Sequence, residues 1–328
     1  EEWYNSRPDL AYFEQRGEPY PVYVVAAQGG GLYAAQQAAF TLARLQDRCP
    51  AFAQHVFALS GVSRGALGAS LFSALVSSRE TKGYGEPLCK FGDAETGWYE
   101  QKVKAFLARD FLSPLTAAGL FPDFMQRFLP FPILPFDRAR AIEASFERAW
   151  ADTVTDTAGN PFAESFYGLW KSSGISPALI LTTTDVKSGG RVVIAPFRFY
   201  RQSTQRLLTM NNLMRRDFTL STAAGVSARF PWVLPPASWT RPTREQTRFV
   251  DGGYFESSGA ETALDLVQVI EDLQRERRET GKPELNVKIN LILFSSDEIL
   301  EDPVNTNNAA LATQLMTERK GFDEVASP

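Results

Sequence analysis

Short apolar stretches alternate with helix-like stretches along most of the chain, and this pattern predicts an α/β protein. The predicted strands are residues 21–27, 56–59, 180–184, 191–194, 248–250 and 287–294. The predicted helices are residues 32–45, 66–76, 98–109, 137–150, 220–228, 258–278 and 307–319. The third and fourth strands flank a glycine-containing turn and are expected to form a hairpin.

The first two strands and the helix between them form a strand–helix–strand crossover, residues 21–60. Such a crossover joins parallel strands and is right-handed. The C-terminal ends of both strands then lie at one edge of the sheet, where open α/β sheets bind ligands. Gly29-Gly30-Gly31 follows the first strand and Gly61-Val62-Ser63-Arg64-Gly65 follows the second. We therefore expect these two segments to lie side by side.

The second segment has the form Gly-x-Ser-x-Gly and stands between a predicted strand and a predicted helix. A nucleophilic serine on such a turn needs glycine two residues to either side, because side chains there would clash. The turn raises the Ser63 hydroxyl above the sheet and directs the Arg64 N–H at an oxyanion. The alternative is an ordinary glycine-rich turn, since matches to this short form are common.

The glycine run Gly29, Gly30 and Gly31 leaves backbone N–H groups uncovered by side chains. We interpret it, together with Arg64, as an oxyanion hole similar to the glycine-rich loops of lipases. The alternatives are a flexible turn and a phosphate-binding loop. The latter lacks the Lys-Ser/Thr ending of a P-loop and the full spacing of a dinucleotide fingerprint.

A serine nucleophile needs a base, and the one histidine of the chain, His55, is badly placed for this role. The strand between His55 and Ser63 should separate them by roughly 20 Å. Asp251 is the best candidate, because it ends a predicted strand and two glycines follow it. A partly desolvated aspartate can have its pKa raised toward neutrality and accept the serine proton. An ordinary Asp-Gly turn is the alternative.

Residues 106–136 carry seven phenylalanines interrupted by five prolines. This many prolines exclude one long helix and favour short helices joined by apolar loops. The segment is either a lid or acyl-chain pocket beside the site, or a satellite core under a long insertion. Residues 1–20 are a lead-in without periodicity, expected to be irregular, and residues 21–328 form the catalytic domain.

Composition excludes several classes of function. The 328 residues carry a net charge of −4 and no basic stripe, which argues against nucleic-acid binding. No uninterrupted apolar run is long enough to span a bilayer. One histidine and two cysteines cannot build a usual metal site, so we expect no metal and no cofactor. The chain opens without Met or a signal-like segment, and we expect it to be a mature or excised piece.

The two cysteines, Cys49 and Cys89, follow helices that both run away from the site edge. Both should therefore lie near the opposite edge of the sheet. We hypothesise a disulfide between them, which would suit an exported or periplasmic protein. Two free thiols are the alternative.

Three blocks in this order resemble the signature blocks of the patatin-like phospholipases: Gly29-Gly30-Gly31, Gly61-Val62-Ser63-Arg64-Gly65 and Asp251-Gly252-Gly253. The small-residue stretch 221–231 is similar to the helix that this family places before its Asp-Gly-Gly block. The resemblance implies a three-layer α/β/α sandwich with a mostly parallel central sheet. It also implies Ser63 as nucleophile, Asp251 as base and the glycine run as oxyanion loop.

The chain departs from the family pattern at two places. Gln28 and Tyr33 stand where the family usually has an Asp before the glycines and a basic residue after them. Glu256-Ser257-Ser258-Gly259 stands where the family often has Asn and Pro. These changes leave the Ser-Asp dyad intact and weaken any inference about the substrate.

The expected function is that of a serine acyl hydrolase cleaving lipid or phospholipid carboxylic esters. The alternatives are a carboxylesterase for short soluble esters and a lipid-binding module without turnover. The expected partners are a lipid or ester substrate and a membrane surface in peripheral contact. An exported, periplasmic or membrane-associated location is favoured over a cytoplasmic one.

Overall fold

A mixed β-sheet, in which most strand pairs are parallel, forms the centre of the protein. The computed structural model describes residues 1–79, 82–87, 89, 96–130, 133, 136–197, 208–210, 217–240 and 246–295. Within these residues the strands are β1 (Tyr20–Ala27), β2 (Val56–Val62), β3 (Ala178–Asp185), β4 (Arg191–Ile194), β5 (Leu208–Thr209), β6 (Ala237–Thr240), β7 (Gln246–Asp251) and β8 (Val287–Phe294). The α-helices are α1 (Glu2–Asn5), α2 (Leu10–Arg16), α3 (Gly31–Arg48), α4 (Phe52–His55), α5 (Arg64–Arg79), α6 (Trp98–Leu107), α7 (Leu112–Leu120), α8 (Pro122–Met125), α9 (Arg138–Thr153), α10 (Leu220–Ser227) and α11 (Ala260–Glu279).

The strand order β5-β4-β3-β2-β1-β8 contains the crossover that the sequence predicts. β1 is parallel to β2 and to β8, and β2 is parallel to β3. β4 is antiparallel to β3, which confirms the predicted hairpin. β7 also pairs with β3 in the antiparallel direction and carries β6 on its other side. The parallel and antiparallel parts of the sheet therefore meet at β3.

Helices cover both faces of the sheet and complete three layers. Successive residues of β1 face opposite ways, since Val25 packs in the larger apolar core and Val24 and Ala26 in a smaller one. This alternation is the geometry of a strand that is buried on both faces. Helices α3 and α5 cover the first face, and α11 covers the second through Ala263 and Leu266. The predicted three-layer α/β/α arrangement is confirmed.

The helix that follows Ser63 is buried over its first three turns. Every residue of α5 from Gly65 to Val76 is buried. A side chain at Gly68 would meet the backbone of Ala35 in α3, so the absence of a side chain lets the two helices pack closely. This close packing holds α3 and α5 against each other. The burial of α5 is what its run of small residues predicts.

The phenylalanine- and proline-rich segment, residues 106–136, divides into a buried part and an exposed part. Phe106 and Phe111 are buried in the larger core, 5.7 Å apart between ring centroids. The phenylalanines further along are exposed: Phe121 by 68%, Phe124 by 47% and Phe128 by 72%. The satellite-core interpretation therefore fits the start of the segment, and the lid or pocket interpretation stays open for residues 121–128. Phe131 lies outside the described residues.

Residues 1–20 differ from the irregular lead-in that the sequence predicts. They form α1 and α2, and Trp3, Tyr4 and Phe13 pack with Tyr20 in an apolar cluster of their own. The two helices have four and seven residues, which is too short for a periodic pattern to be recognised in the sequence. Aromatic packing, not helix propensity, stabilises such short helices.

Two further predictions concern the C-terminal part of the chain. β8 was predicted as a buried strand, but every residue in it is half-buried or exposed. It lies at the edge of the sheet, with β1 as its one strand partner among the described residues. The predicted helix 307–319 lies outside the described residues. Of the helices that the structure describes, none combines the length and apolar character needed to cross a bilayer.

Cys49 and Cys89 are joined by a disulfide, as hypothesised from the sequence. Cys49 directly follows α3, at the end of the helix remote from the glycine run. The bridge therefore fastens the loop after α5 to the far end of α3.

Candidate active site

Ser63 stands at a sharp turn between β2, which ends at Val62, and α5, which begins at Arg64. Its φ is 53°, a left-handed conformation that is uncommon outside glycine. A side chain at Gly61 would collide with Ala66, and one at Gly65 would collide with the carbonyl oxygens of the β1 end. The steric reason for both glycines of the Gly-x-Ser-x-Gly form is therefore confirmed.

Asp251 lies beside Ser63 because β2 and β7 both pair with the same edge of β3, at successive positions along it. Val62 of β2 pairs with Thr182, and Asp251 of β7 pairs with the next residue, Thr183. The opposite edge of β3 is occupied by β4. Since β7 is antiparallel to β3, it runs toward the tip of β2 and ends there. The sequence placed Asp251 at a strand end but did not predict this direction.

The side chains of Ser63 and Asp251 form a direct hydrogen bond. Ser63 Oγ donates to Asp251 Oδ2 over 2.6 Å. The other oxygen, Oδ1, accepts from the N–H of Gly253 at 2.8 Å, so both carboxylate oxygens are engaged. Asp251 is 3% exposed. The structure thus brings together the predicted nucleophile and the predicted base, in a geometry that allows proton transfer.

Burial raises the pKa of Asp251 above its ordinary value. The hydrogen bonds from Ser63 and Gly253 and the charge of Arg64 act in the opposite direction but do not cancel the effect. A raised pKa makes the carboxylate a stronger base than an exposed aspartate. Such a base is what direct deprotonation of a serine requires.

The glycine run lies against the nucleophile, but its three N–H groups are not equivalent. A Cβ atom at Gly29 would lie 3.2 Å from the Ser63 Cβ, so the two segments are in contact as predicted. The Gly29 N–H, however, donates to the Ser257 carbonyl at 2.7 Å. The expectation that Gly29 contributes an oxyanion donor is therefore wrong for this conformation. Its role here is to leave room beside Ser63.

The other N–H groups expected in the oxyanion hole, those of Gly30, Gly31 and Arg64, have no competing acceptor in the described part of the chain. Gly30 and Gly31 have φ values of 144° and 70°, conformations that glycine adopts readily; Gly30 is the N-cap of α3 and Gly31 is its first residue. Within the described ranges, no acceptor is found for the N–H groups of Gly30, Gly31 or Arg64. All three stand at helix starts, where backbone N–H groups attract negative charge.

The Arg64 side chain, which directly follows the nucleophile, is a cation without an ion-pair or hydrogen-bond partner among the described residues. Its Nη1 is buried and has no hydrogen-bond partner in the part of the chain that the structure describes. Burial lowers the pKa of Arg64, and the charge of Asp251 acts in the opposite direction. Asp251, whose charge acts on this guanidinium, is hydrogen-bonded to Ser63 and Gly253 instead.

Ser227 is a site residue that the sequence did not single out. It is the last residue of α10, the small-residue helix, and it is fully buried. Its hydroxyl accepts from the Ser63 N–H at 3.1 Å and donates to the Thr182 carbonyl at 2.6 Å. The same helix also carries Ser221 and Thr222, so its sequence gives no signal that sets Ser227 apart.

Arg229 helps to hold the backbone at Asp251, the second residue of the dyad. Its backbone carbonyl accepts from the Asp251 N–H at 2.9 Å. Its guanidinium is buried and binds Glu143, 3.2 Å away, and the Pro235 carbonyl, 3.1 Å away. Arg229 therefore connects the end of β7, which carries Asp251, to Glu143 of α9 through a buried ion pair.

Exposed apolar side chains stand on the two chain segments that follow Arg229 and Gly253, and we call them the apolar rim: Phe230, Trp232, Val233, Tyr254 and Phe255. Tyr254 and Phe255 directly follow Gly253, and Phe230 lies 6.2 Å from Tyr254 between ring centroids. Arg138 connects the rim to α8, because it binds the Val233 carbonyl at 2.6 Å and pairs with Asp123. The segment that carries the exposed phenylalanines, residues 121–128, is therefore connected to the rim through Arg138.

His55 lies at the other end of β2 and does not approach Ser63. Its Nε2 is 3.0 Å from Asp9 Oδ2, and its ring packs beside Tyr20, the first residue of β1. Burial acts to raise the pKa of Asp9, but the hydrogen bonds and charge of His55, with Gln54 and Tyr20, outweigh it and lower that pKa. The predicted structural role of His55 fits this position.

In the described residues, no cluster of three or more His, Cys, Asp or Glu side chains is arranged to hold a metal ion.

No protein-family model matches the chain, and no curated protein matches it significantly. The crystal structure of VipD from Legionella pneumophila is similar at a TM-score of 0.28 and 12% identity. The match covers 73% of this chain and 46% of VipD, so the chain spans less than half the length of that protein. A likeness at this level carries no argument about function.

Proposed function

We propose that the protein is a serine acyl hydrolase of the patatin-like type, which cleaves carboxylic esters of lipids through Ser63 and Asp251. The observation that carries this proposal is the 2.6 Å hydrogen bond between Ser63 Oγ and Asp251 Oδ2 at a strand-to-helix elbow. The buried carboxylate with its raised pKa supports the role of base. The N–H groups at the adjoining helix starts support the role of oxyanion hole.

The geometry supports a two-step reaction. Asp251 accepts the Ser63 proton while Oγ bonds to the ester carbonyl carbon, and the carbonyl electron pair moves to its oxygen. The N–H groups of Gly30, Gly31 and Arg64 stabilise that oxyanion, and losing one such donor typically costs about 3 kcal/mol of barrier. Collapse expels the alcohol, which takes the proton from Asp251. Water then cleaves the acyl-enzyme, with Asp251 again as base.

Two features support a lipid substrate over a short soluble ester. The apolar rim follows Arg229 and the Asp251-Gly252-Gly253 block, and Arg138 connects it to the segment that carries the exposed phenylalanines, residues 121–128. Such exposed apolar side chains are suited to acyl chains or a lipid surface. The Arg64 guanidinium, for which the described residues supply no partner, favours an ester that also carries an anionic group, such as a phosphate. We therefore propose phospholipids as the substrate class and peripheral contact with a lipid surface.

The Cys49–Cys89 disulfide supports an oxidising compartment, because such bridges persist outside the cytosol. We accordingly propose an exported protein.

The proposal is tested by labelling with a fluorophosphonate probe and by hydrolysis of a panel of esters. The wild type should be labelled at Ser63 and should release fatty acid from phospholipid, and Ser63→Ala should lose both properties. Faster turnover of short soluble esters than of phospholipid would favour the carboxylesterase alternative. Lipid binding without labelling or turnover would favour a binding module and overturn the proposal.

A further inference from the structure

We infer that Ser227 is a positioning residue that holds the backbone of the nucleophile in its productive conformation. This inference rests on the proposed function and assigns a role to a hydroxyl that takes no part in the proton transfer. It is carried by two hydrogen bonds, from the Ser63 N–H to Ser227 Oγ and from Ser227 Oγ to the Thr182 carbonyl.

The Ser227 hydroxyl bridges β2 and β3 where their pairing ends. The last paired residues are Val62 and Thr182, and the chain then turns away from the sheet at Ser63. The turn removes the Ser63 N–H from the ladder, and a buried N–H without a partner is costly. One hydroxyl satisfies both backbone groups, because it accepts from the first and donates to the second.

The segments that carry Ser63 and Asp251 both lie against the Thr182 carbonyl. A side chain at Gly252, directly after the base, would collide with this carbonyl. Ser227 therefore links the Ser63 N–H to the Thr182 carbonyl, and Gly252, next to the base, packs against that same carbonyl. Such a connection fixes the distance between Ser63 and Asp251 more directly than either strand does alone.

The conformation of Ser63 needs this support. A non-glycine residue at a φ of 53° is strained by about 1–2 kcal/mol and persists only when its surroundings hold it. If the Ser227 hydroxyl were lost, the Ser63 N–H and the Thr182 carbonyl would each lose a buried partner. The elbow could then relax, and a displacement of the nucleophile by about 1 Å can reduce the rate about a hundredfold.

The test compares Ser227→Ala with a matched control on the same helix, Ser221→Ala. Ser221 is also fully buried, and its hydroxyl donates to Glu147 Oε1 at 2.6 Å. Ser221 Oγ also shares a hydrogen bond with Thr219 Oγ1 at 2.8 Å. Both variants therefore lose the two hydrogen bonds of a buried hydroxyl on α10, and both should melt at a lower temperature than the wild type. Kinetics are measured where circular dichroism shows that each variant is folded.

We expect kcat of Ser227→Ala to fall by at least about tenfold with KM within about twofold. Ser221→Ala should keep kcat within about twofold. The rate of fluorophosphonate labelling at Ser63 should fall in parallel for Ser227→Ala alone, which makes the result independent of the substrate. If Ser227→Ala does not fold, Ser227→Cys keeps the volume with a much weaker hydrogen-bonding group, and the same losses are expected.

Equal labelling rates and equal kcat for folded Ser227→Ala and Ser221→Ala would overturn the inference and leave the proposed function intact. A wild type without labelling and without turnover would instead overturn the proposed function, and the inference with it. The two failures are therefore distinguished by the wild-type measurement alone.

Discussion

Ser63 and Asp251 are 188 positions apart in the chain, yet their side chains share a 2.6 Å hydrogen bond. They meet because β2 and β7 approach the same edge of β3 from opposite directions and stop at adjacent residues of that strand. The base therefore comes from an antiparallel strand that ends at the tip of a parallel one. This arrangement places a buried carboxylate against a serine without any histidine between them.

Replacing either member of the dyad should abolish turnover without unfolding the protein. Ser63→Ala removes the nucleophile, and Asp251→Asn keeps the shape of the side chain but cannot accept a proton. We expect Asp251→Asn to lower kcat by about a thousandfold, the scale of a lost catalytic base. Initial rates on phospholipid, with folding checked by circular dichroism, measure both effects.

His55→Gln is the control for that experiment. Its ring pairs with buried Asp9, so its loss should lower the melting temperature while turnover at a folded temperature stays near that of the wild type. A well-folded His55→Gln protein with a thousandfold loss of rate would show that His55 is the base, which contradicts the proposed mechanism.

The pH dependence should follow the raised pKa of Asp251. Activity needs the carboxylate, so kcat/KM should rise with pH to a plateau, with a midpoint above the ordinary aspartate pKa of 3.8. Because burial disfavours the charged form, ionisation of Asp251 destabilises the folded state as pH rises through its folded pKa. Asp251→Asn should therefore be more stable than the wild type at neutral pH, and the difference should shrink below pH 3.8. Thermal melts across this range check the sign, and a difference that grows toward acid pH would contradict it.

The sequence predicted the parts of the site that depend on local geometry. A strand, Gly61 and Gly65 around Ser63, and a helix specify the elbow, because each feature constrains its neighbours sterically. The direction of β7 could not be predicted, since a six-residue strand carries no sign of its pairing. The role expected of the Gly29 N–H is wrong, and the Ser227 hydroxyl is missed, because local sequence does not show which group each one binds. Their hydrogen-bond partners lie on distant segments.

The Arg64 side chain should decide preference for a charged substrate. Arg64→Met removes a guanidinium that has no partner among the described residues but keeps the backbone N–H of the proposed oxyanion hole. Since a hydrogen bond to a charged group contributes about 1.5–3 kcal/mol, kcat/KM for a phosphate-bearing ester should fall at least about tenfold further than that for a neutral ester with the same acyl chains. Arg44→Met, which removes an exposed arginine paired with Glu100, is the control and should leave that ratio unchanged. An unchanged ratio in Arg64→Met would exclude anion recognition by this residue.

The exposed phenylalanines should matter for substrate rather than for stability. Phe124 and Phe128 contact each other at 5.5 Å between ring centroids and remain largely accessible, so replacing both by Ala should change the melting temperature little. Phe106→Ala is the matched control, because Phe106 is fully buried and its loss should cost about 3–5 kcal/mol of stability. If residues 121–128 contact acyl chains or a lipid surface, the double variant should lose turnover on vesicles and shift its chain-length preference, while a soluble short-chain ester is still hydrolysed. A large drop in melting temperature with unchanged selectivity would instead assign these residues to the core.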